Sequence, residues 1–182
     1  MLRHLAAAAL FVLVALGPPT PAMAQLQFRD VIHEVRGGVL AHDISFWAAG
    51  HVERGVALNA EIAFAPSFGV LFGRVRPVLG GSFATHNGTS LVYLDVRFEF
   101  TIDRFFFALG VGPAIHTGGT ERRVDGRKAL GSRVLFHPSF QFGLQLTPHS
   151  RVEAYYEHVS NAYLAKPNPG LDNIGLRLAH RF

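Results

Sequence analysis

A histidine and a serine lie two residues apart near the end of a segment in which apolar and polar side chains alternate strictly. One parity of residues 151–160 carries Val152, Ala154, Tyr156, His158 and Ser160. Because side chains alternate between the two faces of a strand, the polar pair lies on the apolar face. Residues two apart on a strand have Cα atoms about 6.5 Å apart, so their side chains can meet. The histidine can therefore take the serine proton and activate the serine as a nucleophile.

A carboxylate that orients the imidazole would complete such a site. The next segment pairs antiparallel with residues 151–160, and Asp172 stands at its start with the outward parity. Glu157 is nearer in sequence, but its parity directs it to the opposite face. Each feature also has a structural interpretation, because His-x-Ser is a short motif, interfacial histidines act as anchors, and aspartate often forms turns. The residues alone leave the catalytic and the structural interpretations open.

The first 24 residues have the pattern of a secretory signal peptide. Arg3 gives a basic start, residues 5–16 form an apolar run, and Ala22-Met23-Ala24 fits the cleavage rule. The apolar run is short for a membrane helix, and no later segment offers about 20 consecutive apolar residues. We predict a signal peptide over residues 1–24, cleaved before Gln25, and one exported domain over residues 25–182.

The composition favours a membrane β-barrel. The chain has 16 phenylalanines, 19 glycines and no cysteine, so disulfides cannot stabilise it after export. Alternation recurs in eight segments of roughly ten residues, the length of a tilted membrane strand. The segments are residues 31–40, 56–64, 74–83, 91–100, 104–115, 133–146, 151–160 and 173–181. We predict an all-β fold, an eight-stranded antiparallel transmembrane β-barrel with a polar, side-chain-filled interior.

The lengths of the connections indicate the orientation of this barrel. The connections over residues 41–55, 116–131 and 161–171 are long, whereas those over residues 102–103 and 147–149 are short. Long extracellular loops and short periplasmic turns are typical of outer-membrane barrels, so His158 and Ser160 lie at the extracellular end of the lipid-facing wall. The basic segment 121–128 is then extracellular, either as a contact for lipid phosphates or as a solvated loop.

The residues around this histidine and serine resemble a known family. His158-Val159-Ser160-Asn161-Ala162, followed by Pro167-Asn168-Pro169-Gly170-Leu171-Asp172 and a terminal Arg181-Phe182, resembles the PagL family of lipid A 3-O-deacylases. The resemblance implies a triad of His158, Ser160 and Asp172, although the family pattern has glutamate where this chain has the shorter Asp172. It also implies that Asn161 and Asn168 lie near the site, where either can bind the oxyanion or simply form a turn. The terminal Phe182 resembles the signal that barrel assembly machinery reads in outer-membrane proteins.

The resemblance implies an enzyme of the cell outer membrane that hydrolyses the 3-O acyl ester of lipid A in lipopolysaccharide, without a metal or organic cofactor. The sequence has no compact metal-ligand cluster and no nucleic-acid signature, and its formal net charge is only +4. Two other functions stay open. One is a non-enzymatic structural or adhesive barrel, and the other is an outer-membrane esterase that acts on other lipids.

Overall fold

The computed structural model describes residues 27–182, and the signal peptide predicted over residues 1–24 lies outside the described residues. One helical turn, α1 (Phe28–Val31), precedes eleven strand segments. The segments are β1 (Ile32–His42), β2 (Val56–Phe64), β3 (Phe68–Val70), β4 (Gly73–Ala84), β5 (Leu91–Ile102), β6 (Phe105–Val111), β7 (Pro113–His116), β8 (Val134–Phe136), β9 (Ser139–Gln145), β10 (Ser150–Val159) and β11 (Leu171–Arg181). Within residues 27–182, no helix has the length and apolar character needed to cross a membrane.

The segments form a closed antiparallel barrel of eight strands, as predicted. β1 pairs with β2 on one side and with β11 on the other, which closes the cylinder. The fifth barrel strand consists of β6 and β7, and the sixth consists of β8 and β9. Closure removes the open sheet edges, so backbone N–H and C=O groups within the bilayer have partners in neighbouring strands.

Two of the strands predicted as continuous are interrupted. The fifth is divided at Gly112, and the sixth is divided at His137 and Pro138. Proline has no N–H to donate to a neighbouring strand, so Pro113 and Pro138 both weaken the ladder where the breaks occur. The breaks adjoin each other, because the His137 N–H donates to the Gly112 carbonyl over 2.8 Å.

The faces of the barrel are inverted relative to those of a water-soluble protein. In β5, the exposed Leu94 and Val96 alternate with the buried Asp95 and Arg97. Apolar side chains therefore form the outer wall, where lipid is the solvent, and charged side chains fill the interior. This arrangement confirms the polar interior expected of a narrow barrel.

Ion pairs stabilise that interior. Arg36 donates to Glu34 over 2.6 Å and to Glu61 over 2.5 Å, and Arg177 donates to Glu153 over 2.8 Å. A charge removed from water is tolerated when it has such partners, and a network of this kind holds its members in one geometry. The barrel is thus a filled, rigid support for the residues on its outer wall.

The connections divide between the two ends of the barrel. Short turns over residues 65–72, 103–104 and 146–149 lie at the end that also holds both described termini. The opposite end carries four loops, named here L1 (43–55), L2 (85–90), L3 (117–133) and L4 (160–170). In outer-membrane barrels the long loops are extracellular. β10 therefore ends, and β11 begins, at the extracellular rim.

Candidate active site

The pairing of β10 with β11 brings His158 and Asp172 together. The antiparallel register sets them directly opposite each other. Residues opposite each other in such a pair have Cβ atoms about 5 Å apart, close enough for a direct side-chain contact. His158 Nδ1 lies 2.5 Å from Asp172 Oδ1. The aspartate therefore reaches the imidazole despite being one methylene shorter than glutamate.

Loop L1 supplies further donors to this carboxylate. Asp172 Oδ2 accepts hydrogen bonds from the backbone N–H groups of Trp47 and Ala48, the latter over 2.7 Å. The Tyr156 hydroxyl donates to Oδ1 over 2.9 Å. With the histidine, four groups from two parts of the chain, L1 and β10, surround a carboxylate that is fully buried. Such a carboxylate is fixed in place, which is the requirement for orienting an imidazole.

The imidazole itself is held by contacts with L1 and L4. The Trp47 ring lies over it with centroids 5.4 Å apart and a 53° angle between the planes. Gly170 has a φ of +66°, and a Cβ at this position would stand 2.8 Å from His158 Cε1. Glycine is therefore required there both by the left-handed backbone and by the close approach of the ring.

Ser160 lies just beyond the end of β10 and is held by its backbone. Its N–H donates to the Phe136 carbonyl over 3.2 Å, and its carbonyl accepts from the Phe136 N–H over 2.8 Å. Ser160 and His158 line one cavity of about 380 Å³ on the outer wall, together with Trp47 and Asn168. Within residues 27–182, no hydrogen bond joins Ser160 Oγ to His158. Catalytic hydrogen bonds often form only when substrate is present.

The two asparagines differ in what they are free to do. Asn161 Nδ2 donates to the carbonyls of Leu130 and Pro167, both over 2.9 Å. Because these bonds use both of its amide hydrogens, the Asn161 side chain braces L4 and cannot donate to an oxyanion in this arrangement. Asn168 Oδ1 accepts from the Asn161 N–H over 3.0 Å, and Asn168 lines the cavity. Among the described residues its Nδ2 has no acceptor, so it is the asparagine that can donate to a substrate.

A buried lysine ties L3 to the site. Lys128 Nζ lies 2.5 Å from Asp43 Oδ1 and 3.1 Å from the carbonyl of Gly170, the glycine beneath the imidazole. Its side chain is almost fully buried. Segment 121–128 was expected to be either a contact for lipid phosphates or a solvated loop, and both expectations are wrong for Lys128 because its side chain is buried. Arg127 is also engaged, because it donates to the carbonyls of Asn87 and Thr117.

Glu53 anchors the base of L1. Its carboxylate contacts His42 Nε2 at 2.7 Å, accepts from Thr89 Oγ1 over 2.7 Å and accepts from the Lys128 N–H over 2.5 Å. Burial alone would raise the pKa of Glu53, but these hydrogen bonds lower the pKa to about 2. The carboxylate is thus charged under physiological conditions and holds residues of L1, L2 and L3 together.

The sequence identified the pair in β10 and β11 but not its surroundings. Tyr156 shares the parity of His158, which is a signal that it belongs to the same face. Trp47, Ala48 and Lys128 gave no comparable signal, since they reach the site through loops that lie far from it in sequence. Within the described part of the chain, no group of three or more histidine, cysteine or acidic side chains is arranged to hold a metal ion.

A closed barrel with a lipid-facing wall and a filled polar interior is the architecture of an integral outer-membrane protein, and here a cavity lined by His158 and Ser160 opens on that wall at the extracellular rim. A sequence model of one such family, described as lipid A 3-O-deacylase (PagL), matches residues 44–181. The match covers most of the chain, so the chain belongs to this family. The predicted family, ester hydrolase class and outer-membrane location are confirmed.

Individual relatives agree with this assignment. The lipid A deacylase PagL of Bordetella bronchiseptica is 29% identical over 158 residues, which cover 81% of this chain and 84% of the relative. The crystal structure of the outer membrane enzyme PagL has a TM-score of 0.60 at 22% identity, covering 82% of this chain and 99% of that one. The Yersinia pestis outer membrane protein Ail has a TM-score of 0.50 at 10% identity, covering 84% and 99%. The two structures show a shared barrel fold.

Proposed function

We propose that this chain hydrolyses the 3-O-linked acyl ester of lipid A, with Ser160 as nucleophile, His158 as general base and Asp172 as the acid that orients the base. The observation that carries this proposal is the cavity lined by His158 and Ser160 on the outer wall, at the extracellular rim. Lipid A lies in the outer leaflet with its ester bonds near the boundary between headgroup and acyl chains. A substrate already in the membrane can therefore reach the site without leaving the lipid.

The proposed reaction begins with proton transfer. With its Nδ1 proton directed to Asp172, His158 has a free lone pair at Nε2, which takes the Ser160 proton as Oγ attacks the ester carbonyl. The tetrahedral intermediate collapses when His158 returns the proton to the departing sugar oxygen. Water, activated by the same imidazole, then cleaves the acyl-serine ester and releases the fatty acid.

Asn168 is the oxyanion donor in this proposal. The backbone N–H groups of Ser160 and Asn161 are already used by the Phe136 carbonyl and by Asn168 Oδ1. Asn168 lines the cavity, and its Nδ2 has no acceptor among the described residues. A preorganised donor aimed at the developing oxyanion is usually a large contribution to catalysis of acyl transfer, on the order of 10²–10³ in kcat.

The apolar residues beside the cavity suit an acyl chain. Trp47, Phe136 and Phe140 are exposed on the outer wall, and the Trp47 and Phe140 rings lie 6.5 Å apart. An ester held at Ser160 can leave its hydrocarbon chain along these rings and within the surrounding lipid. The polar part of lipid A then remains at the level of the loops.

The test is mass spectrometry of lipid A from a Gram-negative host that has intact 3-O acyl chains. Expression of the wild-type chain should remove one hydroxyacyl mass, and Ser160→Ala should leave lipid A unchanged. Ser150→Ala is the matched control, because Ser150 lies at the periplasmic start of the same strand. Unchanged lipid A in the presence of folded wild-type protein would contradict the proposed substrate. Activity that survives Ser160→Ala would place the nucleophile elsewhere.

We also propose that residues 1–24 are removed on export and that the barrel assembly machinery reads the C-terminal strand. Ile174, Leu176 and Leu178 face outward in β11, and the Phe182 ring packs against Phe28 with centroids 4.9 Å apart. The mass of the purified protein tests cleavage before Gln25. A Phe182→Ala variant that reaches the outer membrane in normal amounts would count against recognition of the terminal residue.

A further inference from the structure

A second cavity lies at the periplasmic end of the barrel, about 510 Å³ in volume. Its polar lining includes Arg74, Arg76, Arg181 and Glu99, and its apolar lining includes Phe72 and Phe100. It shares no lining residue with the cavity that contains His158 and Ser160. Nothing in the proposed deacylation uses it, because that reaction takes place at the opposite membrane surface.

The ionised side chains that line this cavity carry an excess of positive charge. Arg76 pairs with Glu99, and its Nη1 donates to the Phe64 carbonyl over 2.8 Å. Arg74 donates from Nε and Nη2 to the hydroxyl of Ser67, over 3.1 and 2.9 Å, and within residues 27–182 no carboxylate pairs with it. Its exposed guanidinium therefore retains an uncompensated charge.

Arg181 adds a second incompletely satisfied guanidinium. Its Nη2 lies 3.7 Å from Glu34 Oε2, while its Nε is buried without a hydrogen-bond partner among the described residues. Glu34 is shared, since it also accepts from Arg36 over 2.6 Å and from Arg151 over 2.5 Å. Guanidinium groups bind phosphate oxygens with short, charge-assisted hydrogen bonds, so this lining matches a phosphate.

The hairpin of β3 and β4 brings apolar side chains to the rim of the same cavity. Phe68, Leu71 and Phe72 are 62%, 89% and 73% exposed. The Phe72 ring packs edge-on against Phe100, with centroids 5.0 Å apart, and so continues the lipid-facing wall. A contiguous apolar surface of this kind is unfavourable in water and marks a contact with lipid or another apolar partner. At this end of the barrel the neighbouring phase is the periplasmic leaflet.

We infer that the periplasmic cavity binds the phosphate of a phospholipid from the inner leaflet of the outer membrane. Arg74 and Arg181 contact the phosphate, and Phe68, Leu71 and Phe72 lie against the acyl chains. The positive charge of the lining favours an anionic ligand. The apolar side chains of the adjoining hairpin favour an anionic ligand that has hydrocarbon chains. The site thus fixes the depth of the barrel in the membrane from the side opposite the candidate active site.

The full chain, purified in detergent and titrated with phosphatidylglycerol, tests this inference by native mass spectrometry. Wild-type protein should retain one phospholipid at detergent concentrations that strip the others, and Arg74→Gln should weaken that binding about tenfold. Arg104→Gln is the matched control, because Arg104 is exposed in the neighbouring periplasmic turn but does not line the cavity. It should bind lipid as the wild type does. The heat-dependent shift in gel mobility of folded barrels verifies that each variant is folded.

Three outcomes would overturn the inference. Equal loss in Arg74→Gln and Arg104→Gln would indicate general surface charge, and no loss in Arg74→Gln would exclude the cavity. The third outcome combines two results: inorganic phosphate displaces the lipid at equal concentration, and the Leu71→Ser variant binds lipid as the wild type does. Together they would indicate a site for free phosphate. In support, Leu71→Ser should weaken lipid binding while leaving phosphate binding unchanged.

Discussion

Replacing Asp172 by asparagine changes a single oxygen to an NH2 group, and the surroundings of Asp172 determine which oxygen is lost. The N–H groups of Trp47 and Ala48 both point at Oδ2. An amide NH2 at that position would face two donors, so the asparagine carbonyl must take it. The NH2 group then occupies the Oδ1 position, 2.5 Å from His158 Nδ1 in the wild-type chain.

The consequence is the wrong tautomer of the imidazole. A donor beside Nδ1 forces Nδ1 to act as acceptor, which leaves the His158 proton on Nε2. The ring then has no lone pair at Nε2 to receive the proton of Ser160. In a Ser-His-Asp triad this change lowers kcat by about 10⁴-fold, or about 5 kcal/mol of transition-state stabilisation. We expect a loss of that size for Asp172→Asn, with little change in KM.

The assay is release of the hydroxy fatty acid from purified lipid A by folded protein, with kcat and KM measured separately. Asp103→Asn is the control, since Asp103 lies in a periplasmic turn at a φ of +53° that asparagine tolerates well. If Asp172→Asn keeps kcat within tenfold of wild type, Asp172 does not orient the base. If only KM rises, Asp172 acts by holding L1 against the substrate.

Three further perturbations test the supports of the site. Lys128→Met leaves the Asp43 carboxylate buried without its cationic partner, which should cost about 3–5 kcal/mol of stability in the loops. Hydrogen exchange in L1 should therefore rise and kcat should fall while the barrel stays folded. Unchanged exchange in L1 would contradict this role of Lys128. Gly170→Ala adds about 1–2 kcal/mol of left-handed strain and pushes a methyl group into the His158 ring, so kcat should fall at least about tenfold, whereas Gly126→Ala in L3 should not lower it. Because the pKa of Glu53 is depressed to about 2, its stabilisation of L1 is present above the ordinary value near 4.5 and is lost as the pH falls toward 2. Proteolysis of the loops should therefore increase over that range, and Glu53→Gln should remove the pH dependence.

The alternation of side chains was sufficient to predict the barrel because each barrel strand must present one face to lipid and one to the interior. The exceptions have local causes. Proline at Pro113 and Pro138 interrupts two ladders, since it lacks the N–H that a continuous strand needs. β3 pairs with the start of β4 over residues 68–75, and the sequence did not predict this strand because three residues are too few to show an alternating pattern.

The candidate site also combines features that the sequence predicted with features that it did not. Parity put His158 and Asp172 on one face, and their pairing in adjacent strands depends only on the register of β10 and β11. Asn161 was expected near the site, either to bind the oxyanion or to form a turn, and its side-chain hydrogens are used within the loops by the carbonyls of Leu130 and Pro167. Which of two nearby asparagines is free to donate depends on backbone groups that no sequence pattern identifies.

The sequence by itself determined the class of fold, the lipid-facing position of the His-x-Ser pair and the acid opposite the histidine. These properties follow from the period of two residues along a strand, which is local. Only the tertiary structure decided that L1 donates two N–H groups to Asp172, that Lys128 is buried between Asp43 and Gly170, and that uncompensated arginines gather at the periplasmic mouth. Those contacts join residues up to about 125 positions apart, and they depend on how barrel closure brings the loops and turns together.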